Sequence, residues 1–167
     1  VLVTGGAGVL GSEIACALVG LNANVVLLDR DQELAQKAIE RFPKVVKGRG
    51  VRVFGDVLKV ETLQQANETI TAEFGAVDIL INGAGGNHPS ATTEPDLSFV
   101  DLPLDALQHV GNLNLLGTVL PCQVFGRGMA ERGEGVILNL SSMSAFRPLT
   151  RIPAYSAAKA AINNFTQ

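Results

Sequence analysis

Tryptophan is absent from this chain of 167 residues, tyrosine occurs once, and cysteine, histidine and methionine occur twice each. Two cysteines as far apart as Cys16 and Cys122 form no disulfide framework and no thiolate metal site. Both fall in helix-like segments with apolar neighbours, so they are expected as buried thiols in a reducing compartment, which points to the cytoplasm. His88 and His109 are too isolated to build a metal constellation. Apolar runs stay short of the ~18 residues that a membrane span needs, so no membrane partner is expected. Thirteen basic against sixteen acidic residues leave a formal charge of -3, without the basic excess that nucleic acid would attract. Charged residues make up only 17% and apolar ones 47%, the balance of a well-buried chain rather than a disordered one. The length suits one domain over 1–167 with an ample core.

Glycine, by contrast, occurs eighteen times. The chain opens on the apolar strand Val1-Leu2-Val3-Thr4 and runs through Gly5-Gly6-Ala7-Gly8-Val9-Leu10-Gly11 into a helical pattern with Ile14, Leu18 and Leu21 on one stripe. Gly6, Gly8 and Gly11 satisfy G-x-G-x-x-G in the strand-turn-helix setting that the motif requires. Such glycines let backbone approach a pyrophosphate, and the free N–H groups at the helix start bind the anion. A glycine turn can also be a plain connection, and the second strand, Asn24 to Leu28, narrows the choice by ending at Asp29. An acidic residue about 20 positions beyond the glycines suits the adenosine ribose hydroxyls and repels the extra phosphate of NADP. Arg30 beside it could hold that phosphate or simply be a solvated charge. NAD is therefore expected, with NADP as the alternative.

Tyr155 and Lys159 stand four residues apart in a helical pattern, so they share one face. A free phenol, with a pKa near ~10, is a poor base at neutral pH, and a neighbouring cation favours the phenolate. Ser142, thirteen residues before Tyr155, can hold a substrate oxygen beside the phenol. Ser141 and Ser144 are its rivals. This is apparatus for moving a proton on or off an alcohol or carbonyl, and the glycine turn supplies a place for the hydride carrier.

Together these residues resemble the short-chain dehydrogenase/reductase family over essentially the whole chain. Thr4-Gly5-Gly6-Ala7-Gly8-Val9-Leu10-Gly11 is similar to its T-G-x-x-x-G-x-G turn. Asp56-Val57 is similar to its adenine-contacting D-V pair, and Asn82-Gly83-Ala84-Gly85 to its N-N-A-G segment. Asn114, Ser142, Tyr155 and Lys159 match the family tetrad, with Asn112 as a nearby rival for the asparagine. The resemblance implies that Lys159 also holds the nicotinamide ribose and that Asn114 holds a water linking Lys159 to solvent. It further implies a homo-oligomer built on helix 104–131 and the Tyr155 helix. Two positions depart from the pattern. Val9 puts a β-branched side chain where glycine is usual, which raises the expectation of a shifted loop or altered phosphate binding. Gly83 replaces an asparagine, which should be tolerated. The glycine turn and the segment Asn82 to Thr93 also resemble the sugar-acid members, such as the mannonate and gluconate enzymes. That implies a small-molecule substrate of the mannonate/fructuronate kind. A 3-oxoacyl carrier-protein reductase and a non-catalytic dinucleotide-binding regulator remain as alternatives. Family members are longer, so the chain is expected to be a piece of such an enzyme.

The alternation along the chain predicts strands near 1–4, 24–28, 51–55, 77–82 and 135–141, and helices near 9–21, 31–42, 60–74, 104–131 and 154–167. Runs such as Val77-Asp-Ile-Leu-Ile81 and Val136-Ile-Leu-Asn-Leu140 suit a parallel sheet buried on both faces. The expected fold is α/β: a Rossmann-type doubly wound sheet in three layers, order 3-2-1-4-5. The strand at 135–141 is then an apolar edge. The long irregular stretch Gly83 to Pro103 leaves the carboxyl end of strand four and is expected to wall the substrate pocket. Within it His88 could meet a substrate carboxylate, for which Arg147 and Arg151 are better candidates because each can bind it bidentately.

Overall fold

The computed structural model describes residues 1–167. Five parallel strands form one sheet in the order β3-β2-β1-β4-β5: β1 (Leu2–Thr4), β2 (Val25–Asp29), β3 (Gly50–Phe54), β4 (Ile79–Asn82) and β5 (Val136–Asn139). The expected strand order is the one found. Helices α1 (Val9–Gly20), α2 (Gln32–Glu40) and α3 (Val60–Phe74) connect the first four strands. α4 (Leu104–Gly111) and α5 (Gly117–Arg132) precede β5, and α6 (Pro153–Thr166) follows it.

The register shows how alternation along each strand builds two cores. Leu2 lies between Val26 and Leu80, and Val3 between Leu27 and Ile81. Side chains at successive strand positions point to opposite faces. Leu2, Leu28 and Leu80 therefore join Leu63, Ile70 and Phe125 of α3 and α5 in one buried cluster. Val3, Leu27 and Ile81 join Ala15, Val19 and Phe42 in the other, beside α1 and α2. Each such aliphatic side chain contributes about 1.5–3 kcal/mol when fully removed from water. α2 starts where Asp31 accepts the Leu34 N–H at 2.8 Å, a side-chain cap that fixes its first turn. None of the helices is long and apolar enough to cross a membrane.

Two expectations are corrected. The run Val136 to Leu140 is not buried on both faces: Val136, Ile137 and Leu138 are all exposed, because β5 pairs only with β4 and forms the sheet edge. The helix expected over 104–131 is interrupted by a π-helical turn, Asn112–Leu116. There the Asn114 side-chain amide donates to the Val110 carbonyl at 2.8 Å, the acceptor that a regular turn assigns to Asn114's own N–H. A side chain inserted into the ladder widens the turn. Such π turns concentrate at functional sites.

Candidate active site

β1 and β4 are neighbours in the sheet, yet β1 leads to a helix on one face while β4 follows a helix on the other. Their carboxyl ends diverge into a crevice, the place where doubly wound sheets bind ligands. A cavity of about 450 Å³ lies there, lined by the glycine turn, the end of β2 and the segment after β4. Gly5, with φ +62°, makes the turn, and a Cβ on it would come within 2.8 Å of the Ala84 backbone. The two loops therefore touch backbone to backbone, as only glycine allows. α1 then starts at Gly8 with no side-chain cap. Its first N–H groups, Val9 to Gly11, have no intrahelical acceptor and face the cavity rim, a ready anion site. Val9 is 83% exposed, so its β-branched side chain is not wedged into the turn.

Gly5, Gly8, Val9, Leu10, Gly11, Asp29, Arg30, Val57, Ala84 and Gly85 all line this cavity. Thr4, Asp56 and Asn82 stand behind its wall. The Thr4 hydroxyl accepts from the Gly83 and Ala84 N–H groups, each at 3.2 Å. Asp56 accepts from the Leu58 N–H at 3.0 Å. The Asn82 amide donates to Asn139 Oδ1 at 2.9 Å and to Cys122 Sγ at 3.1 Å. These three hold the loops that form the wall. Asp29 has a second task that its position in the sequence does not reveal: it accepts the Ala7 N–H of the glycine turn at 3.0 Å and the Asp31 N–H at 3.0 Å. Arg30 Nη1 lies 3.9 Å from Asp56 Oδ2 with its side chain mostly in solvent, a contact worth little by itself.

At the near end of the crevice stands α6. Lys159 Nζ lies 5.7 Å from the centre of the Tyr155 ring, on the same face of the helix. The Tyr155 ring packs against Ala91, Ala106 and Val110, and its hydroxyl makes no hydrogen bond within the chain. Lys159 is only 6% exposed and donates to the Leu140 carbonyl at 2.7 Å. A Cβ on Gly85 would lie 3.3 Å from Lys159 Nζ and 2.7 Å from Asn114 Oδ1, so Gly85 joins the glycine cavity to Lys159 and Asn114. Asn114 is fully buried; it donates to the Gly86 carbonyl at 2.7 Å and accepts the Gly86 N–H at 3.1 Å. Asn112, its rival, has no such bonds. The Asn114 side chain is thus a clamp on the loop after β4, across twenty-eight residues of chain.

The three serines part ways. Ser141 donates to the Lys159 backbone carbonyl at 3.1 Å and anchors α6. Ser144 is fully buried. Ser142 remains partly exposed at the head of the short turn Met143–Ala145, against which α6 packs. The arginines part ways too. Arg151 Nε donates to the Thr93 carbonyl at 2.8 Å, and its guanidinium pairs with Glu94. Arg147 is exposed and has no ionic partner. His88 accepts the Ser90 N–H and meets the His109 ring edge-on at 5.7 Å. The loop from Gly83 to Pro103 is tied down by these contacts, and its Thr93 and Phe99, with residues between Ser144 and Ala160, line a second, open cavity of about 530 Å³.

Burial pushes the Lys159 ammonium below its ordinary value of 10.5. Between that lowered value and 10.5 the unfolded chain binds more protons than the folded one, so folding stability rises with pH there. The stability of wild type relative to Lys159→Met is therefore expected to increase as pH climbs toward 10.5, as read by denaturant midpoints. A flat difference would show that the ammonium is not desolvated.

The model of the family described as short chain dehydrogenase matches residues 1–167. The chain belongs to that family. A protein of Haemophilus influenzae, named only as an oxidoreductase, is 43% identical over the whole chain, which spans 62% of that relative. The crystal structure of a candidate D-mannonate oxidoreductase from Haemophilus influenzae with bound NAD superposes with a TM-score of 0.87 at 43% identity, covering 99% of this chain and 62% of that one. The 2-dehydro-3-deoxy-D-gluconate 5-dehydrogenase of Bacillus subtilis is 32% identical, covering 99% of this chain and 61% of the relative. The chain thus spans about three-fifths of the length of each of these relatives.

Proposed function

We propose that this chain belongs to an NAD-dependent oxidoreductase that interconverts a secondary alcohol and its ketone, with a sugar acid of the mannonate/fructuronate kind as substrate. The observation that carries this reading is the junction at Gly85, where the glycine cavity meets Lys159 on the same helix face as Tyr155. The Val9 to Gly11 amides suit a pyrophosphate, and Asp29, with lone pairs left after its two backbone bonds, suits ribose hydroxyls. Bound NAD supplies the acceptor for the hydride that leaves the carbinol carbon. In oxidation Tyr155 takes the hydroxyl proton as the C–H bond gives up its hydride; in reduction it returns that proton to the oxygen. The Lys159 ammonium stands beside the phenol on the same helix face, and Ser142 binds the substrate oxygen. Arg151 lines the second cavity but is engaged by Glu94 and the Thr93 carbonyl, so Arg147, exposed beside that segment and free of ionic partners, is the cation left for the substrate carboxylate. The NAD-bound mannonate-type neighbour and the deoxygluconate dehydrogenase support the same chemistry. Assembly into a cytoplasmic homo-oligomer, with exposed Leu104, Leu116 and Phe165 among the apolar groups offered, belongs to the same proposal.

The test is titration of the whole protein with NADH and NADPH, then a panel of keto-sugar acids followed at the nicotinamide absorbance. NADH oxidation with fructuronate or a similar ketoacid is expected. In that assay Arg147→Ala should raise KM about tenfold or more while Arg151→Ala acts mainly on stability. Preference for NADPH with no sugar-acid turnover would transfer the proposal to the acyl reductases. Cofactor binding without turnover of any ketone would leave a dinucleotide-binding regulator.

A further inference from the structure

Ser142 stands at the head of the turn Met143–Ala145 and takes two hydrogen bonds there. The Ser144 N–H reaches its Oγ at 3.2 Å, and the Ser144 hydroxyl reaches the same oxygen at 3.0 Å. The first is the ordinary side-chain cap of a short turn. Capping does not require the second, and its direction carries chemistry.

Burial decides that direction. Ser144 has no exposure to solvent, and its hydroxyl meets no hydrogen-bonding group other than Ser142 Oγ. If Ser142 donated, the Ser144 proton would be buried and unpaired, which folded proteins strongly avoid. Ser142 is partly exposed and can send its own proton elsewhere. Ser144 therefore donates and Ser142 accepts. A hydroxyl has two lone pairs and one proton. With both lone pairs of Ser142 taken, by the amide and by the hydroxyl of Ser144, only its O–H remains for a ligand.

We infer that Ser144 is a positioning residue that makes Ser142 an obligate hydrogen-bond donor to the substrate oxygen and so leaves Tyr155 as the sole acceptor for the substrate proton. The inference rests on the oxidoreductase reading of this site and deepens it. A Ser142 free to accept could take the hydrogen bond of a substrate alcohol and turn its proton away from the phenol. Locked as a donor, it points its proton at the oxygen on which negative charge grows as the ketone forms or is reduced. The two bonds it accepts polarise its O–H further, since hydrogen-bonded chains strengthen one another. Ser141 cannot substitute, because its hydroxyl is committed to the Lys159 carbonyl.

A double-mutant cycle in the whole protein tests this, with ketone reduction measured for Ser144→Ala, Ser142→Ala and the pair at saturating NADH. Ser144→Ala is expected to lower kcat about tenfold, the effect of one hydrogen bond, with KM and NADH affinity within about twofold of wild type. In the Ser142→Ala background the same change should cost nothing further. An equal loss in that background would reduce Ser144 to a structural residue and overturn the inference, as would a Ser144→Ala kcat within twofold of wild type. Ser144→Cys, of similar size with a weak donor, should fall between and carries the comparison if the alanine variant fails to bind NADH. Wild type that reduces no ketone would bring down the oxidoreductase reading and this role together. Wild-type turnover with an inert Ser144 would bring down this role alone.

Discussion

Tyr155→Phe should lower turnover by roughly 10²–10⁴-fold, the range that a positioned acid–base group contributes, while NADH binds as before. The change removes one oxygen that makes no hydrogen bond within the chain and leaves the ring packed on Ala91, Ala106 and Val110. Stability is therefore expected to stay within about 0.5 kcal/mol, as for a substitution that opens no cavity and orphans no partner. The loss should appear in kcat rather than in KM, because a proton transferred in the transition state is not held in the ground state. Stopped-flow turnover together with fluorescence titration of NADH separates the two quantities. A Phe variant that keeps more than a tenth of wild-type kcat would remove Tyr155 from the proton path, and with it the proposed mechanism.

Gly11→Ala should have the largest effect on cofactor binding, raising the NADH dissociation constant about a hundredfold and lowering stability by about 1–3 kcal/mol. A Cβ at Gly11 would overlap the Gly5 carbonyl oxygen and lie 3.0 Å from Gly6 Cα. Both are backbone atoms of the turn, so nothing can yield without moving the amides that the proposed pyrophosphate would meet. Gly20, in the same helix, makes the internal contrast. Its added Cβ would meet only Pro43 Cγ at 3.8 Å, so Gly20→Ala should stabilise the protein by about 0.5–1 kcal/mol and leave NADH binding unchanged. Denaturant melts and NADH titrations of the two variants should move in opposite senses for stability and only together fail the argument. Equal destabilisation by both would mean that the tight packing of the glycine turn is not what Gly11 supplies.

Strand order and most element positions were legible because the signals are local. Leu2-Val3 and Leu27-Leu28 alternate between two cores, Asp31 caps the helix it precedes, and the glycines mark the turn. The break in the helix expected over 104–131 was not legible. Asn114 looks like any polar helix residue until Val110 and the distant Gly86 compete for its amide. The edge exposure of Val136 to Leu138 was legible from the strand order, which leaves 135–141 without an outer neighbour, but not from the apolar run itself, which reads the same whether or not a neighbour covers it.

By itself the sequence determined the parallel α/β architecture, the glycine turn before α1, and the placing of Tyr155 and Lys159 on one face of α6. Periodicity and i, i+4 spacing act within a few residues, so no long-range information is needed for them. Only the tertiary structure decided which serine stays free for a ligand, since Ser141 answers to Lys159 and Ser144 to Ser142. Only the structure showed Arg151 engaged by Thr93 and Glu94, Lys159 held by the Leu140 carbonyl, and Asp29 bound to the turn twenty-two residues away. A side chain has a few donors and acceptors, and what remains for chemistry depends on which are already taken by groups that folding brings near.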